Sequence, residues 1–158
     1  MPARGSDVKF TINAAFFHEI KEDHHQLNEL LERLGKLVEE PDALPNHRKK
    51  FSGLLAELRD QLAFHFTLEE AYGYFEDALD GSPWLHSEAG ELRDQHAELY
   101  VQISGLAERV LDMPADSSQE IKELATDYMS FRASLRNHET SEMKLILDAM
   151  TCDFGDAD

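Results

Sequence analysis

At 158 residues the chain is long enough for one domain with one core and short for two. Its 42% hydrophobic and 30% charged residues fit a folded protein rather than a disordered one, and no apolar run approaches the roughly 18 residues of a membrane span. A formal net charge of −17, spread along the chain, argues against nucleic acid or anionic lipid as partner, and one cysteine, Cys152, allows no internal disulfide.

The opening MPARGSDVKF has no apolar signal core, so no export address is expected and the cytoplasm is the expected location. Residues 1–11 read as an extension ahead of the first periodic segment, about 12–39, whose inward stripe is Phe17, Ile20, His24, Leu27, Leu31 and Leu34. Proline is costly inside a helix, so Pro41 and Pro45 mark a break. The second segment, about 46–79, carries Phe51, Leu55, Leu58, Leu62, His65, Glu69 and Tyr72. Asp80-Gly81-Ser82-Pro83 ends it, with Ser82 read as an N-cap and Pro83 as the first helical residue. The third, about 83–112, carries Leu92, His96, Leu99, Ile103, Leu106 and Val110. Met113-Pro114-Ala115-Asp116 is the third break, and Ser117 with Glu120 reads as a capping box. The fourth, about 117–149, carries Ile121, Leu124, Tyr128, Phe131, Leu135, His138, Glu142 and Leu145; 150–158 reads as an irregular acidic tail holding Cys152 as a free thiol. Steps of three and four residues, in four segments joined by short loops, predict an all-α, up-down-up-down four-helix bundle over 12–149.

Each stripe contains one histidine where a hydrocarbon side chain is expected: His24, His65, His96 and His138. Two also carry a glutamate one turn later, Glu69 and Glu142, on the same helix face as the histidine before it. Counted from the 41–45 and 113–116 breaks, His24 lies about 17 residues along its helix, His65 about 20, His96 about 18 and His138 about 22; at ~1.5 Å per residue all four share one level of the bundle. A buried carboxylate needs a partner, and imidazole with carboxylate suits iron, zinc or manganese. A metal is the most economical partner for all six. His25 is the alternative first-helix ligand; His18, His47 and His86 fall off the stripes, and Tyr72 and Tyr128 read as core with satisfied hydroxyls.

Ferritin-type di-iron bundles need Glu-x-x-His twice, and here Glu22 with His25 is the one such pair, off the seam. A c-type haem would need Cys-x-x-Cys-His, and a b-type haem would leave both glutamates unexplained. The ordered set Glu22-Asp23-His24-x-x-Leu27, His65-x-x-x-Glu69-Glu70, His96 and His138-x-x-x-Glu142 resembles the hemerythrin-like, or HHE cation-binding, domain over about 12–149.

That resemblance implies two non-haem iron ions bridged by two carboxylates and an oxo or hydroxo group, with His24, His65, His96 and His138 as terminal ligands and Glu69 and Glu142 as bridges. Oxygen-carrying hemerythrins place a second histidine one turn away on the third helix and usually end on an Asp at a spacing of five. Here Leu92 and Tyr100 flank His96, and Glu142 follows His138 by four, which is closer to the di-iron domain of iron–sulfur cluster repair proteins. The expected function is binding or reduction of O2, hydrogen peroxide or nitric oxide. The alternatives are an iron or oxygen store or sensor without turnover, and a metal-free interaction module. Zinc or manganese could replace iron. Glu70, Tyr72 and Glu139 are the residues nearby that could transfer protons.

Overall fold

The structure is a computed structural model that describes residues 22–71 and 85–156, with side chains described through 70 and over 85–149. Four helices account for nearly all of it: α1 over 22–38, α2 over Arg48–Ala71, α3 over His86–Asp112 and α4 over Ser118–Asp156. A 3-10 turn, Leu44–His47, leads into α2, and no strand occurs among the described residues. The bundle is all-α, as the stripes predict. No helix among the described residues is long and apolar enough to cross a membrane.

The breaks form for the reasons legible in the chain. The Glu39 amide donates to the Gly35 carbonyl at 3.1 Å in the last turn of α1, and Pro45 sits in the first turn of the 3-10 segment, where a missing N–H costs nothing. Met113 turns extended (φ −72°, ψ 136°) before Pro114, whose ring disfavours helical backbone in the residue ahead of it. Arg48 then gathers the freed carbonyls at the end of α3, donating to Val110 O (3.0 Å), Pro114 O (2.7 Å) and Met113 O.

Two local expectations resolve differently. The Ser117 hydroxyl bonds back to the Pro114 carbonyl rather than forward into the expected box with Glu120. The last helix does not stop at 149 but continues to Asp156, because no proline interrupts it and Leu145 and Ala149 still bury. Phe17, Ile20, Tyr72 and the Ser82-Pro83 cap lie outside the described residues, as does the Cys152 side chain.

The core follows the stripes. Leu27, Leu34, Phe51, Leu55, Leu58, Leu62, Ile103, Leu124 and Leu135 belong to one continuous apolar cluster from all four helices. A smaller cluster of Leu85, Ala89, Leu92, Leu145 and Ala149 stands apart from it. The gap between the two is filled by polar side chains.

Candidate metal centre

Five of the six expected side chains meet in that gap. His65 and Glu69 lie one turn apart on α2, His138 and Glu142 one turn apart on α4, and His96 faces both from α3; all five are buried. Glu69, His96, His138 and Glu142 each bring one ligand-type atom, and these atoms lie within 4.8 Å of one another. His96 Nε2 is 3.1 Å from Glu69 Oε2 and 3.2 Å from Glu142 Oε1, and His138 Nε2 also contacts Glu142 Oε1. His65 Nε2 reaches the other oxygen of Glu69, Oε1, at 2.7 Å. Three imidazole Nε2 atoms therefore converge on two carboxylates.

The outer nitrogen of each ring is held as well. His65 Nδ1 donates to Asp23 Oδ2, and Asp23 Oδ1 accepts in turn from Gln61 Nε2 at 2.7 Å. His96 Nδ1 donates to Glu70 Oε1 at 3.2 Å, and His138 Nδ1 donates to Gln95 Oε1 at 2.8 Å. Anchoring Nδ1 in this way fixes ring orientation and leaves Nε2 for the interior, the arrangement that orients histidine toward a metal. Phe66 seals one side, stacked on His96 (centroids 4.2 Å apart, 9° between planes) and edge-on to His138 at 5.9 Å. On another side a groove of about 270 Å³ between α3 and α4, lined by Gln95, Asn137 and Ser141 among others, reaches His138.

His24 is placed differently. It is half-buried and meets His65 edge to face, ring centroids 5.0 Å apart, outside the compact group of four. The fully buried polar residue of α1 is its neighbour Asp23, 3% exposed. His25, His47 and His86 are exposed, and His18 lies outside the described residues.

The charges in the pocket are strongly coupled. Burial alone would lower the pKa of His65, but its bonds to Asp23 and Glu69 outweigh that and hold it up at about 10. His96 is likewise opposed by burial and raised to about 9 by Glu142 and Glu69. Burial would raise the Glu69 carboxyl, yet the bonds from His65 and His96 bring it well below the usual carboxylate range. Glu139, half-buried nearby, is raised by burial, with Arg132 opposing.

Even so, Glu69 Oε2 and His138 Nε2 remain buried with no properly directed hydrogen bond. Orphaned lone-pair atoms from two helices, aimed at one small volume and flanked by His96 and Glu142, are what a bound cation would satisfy. The residues fit a metal. Compared with known families, residues 15–150 match the model described as the hemerythrin HHE cation binding domain. The chain belongs to that hemerythrin HHE family. No curated protein and no solved structure matches it.

Membership in a cation-binding family and a buried His/Glu cluster at its centre agree on metal binding. Sequence reasoning missed the outer shell. Gln61 and Gln95 carry no signal that separates them from a solvated helix face, and Phe66 lies one position off its stripe. Asp23 did have a signal, its place between Glu22 and His24 in the family motif, but the apolar stripe pointed past it to His24.

Proposed function

We propose that the chain is a non-haem di-iron protein that binds or reduces O2, hydrogen peroxide or nitric oxide. His24, His65, His96 and His138 would hold the ions, with Glu69 and Glu142 bridging them. The observation that carries this reading is the convergence of three anchored Nε2 atoms on two buried carboxylates, with Glu69 Oε2 and His138 Nε2 left without a properly directed hydrogen bond. Glu69 faces His65 through one oxygen and His96 through the other, the disposition a bridging carboxylate needs.

Two iron ions, when bound, would supply one-electron redox chemistry and open positions for a small ligand. The chain's own residues set the conditions. Asp23, Glu70 and Gln95 keep the rings aimed inward. Phe66, with the buried Leu62, Leu92, Leu99 and Leu135, keeps bulk water from the centre. The groove at His138 offers a small solute a way in. Glu139 and Glu70 are the carboxyls placed to pass a proton, Glu139 because burial favours its protonated form.

The test is metal analysis with kinetics. Protein loaded anaerobically with iron(II) should hold about two irons per chain and consume peroxide or nitric oxide faster than free iron, with a Glu69→Ala variant losing both properties. Full loading without consumption would leave a store or sensor, and a preference for zinc or manganese would replace the redox reading. Less than about one metal per chain would overturn the centre altogether.

A further inference from the structure

The centre is lopsided. Glu69, His96, His138 and Glu142 already stand with ligand atoms within 4.8 Å of one another, all buried, on three helices. His138 Nδ1 is fixed by Gln95 and His96 is clamped by Phe66 and Glu70, so little movement separates this group from a coordination shell. The second position is less complete, and the shortfall lies in His24. His65 is anchored much as His138 is, with Nδ1 on Asp23 and Nε2 against Glu69 at 2.7 Å. His24 is only partly buried and, among the described residues, meets the site at the His65 ring, centroids 5.0 Å apart and steeply inclined.

On the footing of the di-iron reading above, we propose that the two metal positions are unequal and fill in order. The Glu69–His96–His138–Glu142 position takes the first ion and the His24–His65 position the second. Preorganised ligands bind tightly because binding need not order them, whereas a partly exposed imidazole outside the compact group loses rotamer freedom when captured. The first cation also draws charge from Glu69 and Glu142, the carboxylates it would share with the second, and like charges a few ångströms apart repel. Both effects act against the His24–His65 position. A merely symmetric four-histidine cage has no such order.

Zinc(II) alone, titrated into the metal-stripped full chain, tests this by following imidazole 15N resonances. The first equivalent should move His96 and His138 and leave His24 in place; the second should move His24 and His65 and bind about tenfold or more weakly. A His24→Ala variant should keep the first equivalent and lose the second, and His138→Ala should lose the tight step; far-ultraviolet circular dichroism checks that each remains helical. Uptake of two equivalents in a single step, or movement of His24 together with His138, overturns the order while leaving the di-iron reading intact. Uptake that stops at one equivalent or none overturns the di-iron reading and the order with it. The wild-type resonances decide the matter even if a variant fails to fold.

Discussion

The two halves of this bundle are built on opposite rules. Toward the connections at 41–47 and 113–117, Leu44, Phe51, Leu55, Leu58, Val110, Ile121 and Leu124 pack with essentially no exposure. Toward the other end the apolar contacts thin to Leu85, Ala89, Leu92, Leu145 and Ala149, and the level between carries three buried carboxylates and three imidazoles. Apolar burial is non-directional and roughly proportional to area, so the first half can be stable whatever the solution contains. A buried polar network is stable only when every member is satisfied, so the second half depends on pH and on what it binds. The first half holds the helices at a fixed spacing, and the second exploits that spacing.

Leu58→Ala should have the largest effect. Leu58 is fully buried in the apolar half, and the cavity left should cost about 3 kcal/mol. Because the loss lies in the packing and not in the site, denaturant unfolding should register the same deficit with metal present and absent. A deficit that disappears on metal loading would mean that the halves are not separable.

The next effect concerns pH and belongs to the other half. In the metal-free protein the pKa of His65 is held up at about 10 and that of His96 at about 9, against an ordinary value of 6.5. Between the ordinary and raised values the folded chain binds protons that the unfolded chain does not, so stability falls as pH rises. Their contribution is fully present below about pH 6.5 and is lost as pH climbs through about 9 and then 10. The lowered Glu69 acts at the opposite extreme, losing its contribution only in strong acid. Loss of a proton still leaves each neutral imidazole one N–H to donate, so the network weakens without vanishing and the change should be smaller than that from Leu58→Ala. Unfolding midpoints of the metal-free chain between pH 6 and pH 10 check it; a midpoint that stays level or rises over pH 8–10 would refute the coupling of these histidines to Asp23, Glu69 and Glu142.

The same division decides what could be read from the sequence. Every apolar stripe position from Leu27 onward that the structure describes is buried, because a helical period repeated over six turns averages out local error. The histidines and glutamates of α2, α3 and α4 were legible for the same reason, as polar residues standing where the period demands hydrocarbon. On α1 the stripe marks only part of the inward edge: adjacent positions differ by about 100° round a helix, and Asp23 is buried beside a partly buried His24. The anchors of the rings had no periodic signature. Gln61, Gln95 and Glu70 sit on half-exposed faces, and only the meeting of two helices gives them a partner. The stripe puts Tyr128 in the core, where it lies, but says nothing about an acceptor for its hydroxyl. Whether the hydroxyl finds one depends on atoms from other helices, which no single-helix pattern encodes.

That hydroxyl gives the smallest and most discriminating test. Tyr128 is 1% exposed, lies edge-on to Phe51 and beside Phe131, both with centroids 6.4 Å away, and its oxygen has no hydrogen-bond partner among the described residues. Burial pushes its pKa up to about 12, with Arg132 opposing. An unsatisfied buried hydroxyl forfeits its hydration for nothing in return, so Tyr128→Phe should keep the ring packing and stabilise the chain by up to about 1 kcal/mol, with metal uptake unchanged. Thermal and denaturant unfolding of the two proteins would show it. A loss of more than about 1 kcal/mol would mean that the hydroxyl does bond something in solution, a trapped water being the simplest case. The apolar half would then contain a polar island of its own, and its insensitivity to conditions, on which the contrast between the halves depends, would no longer follow from packing alone.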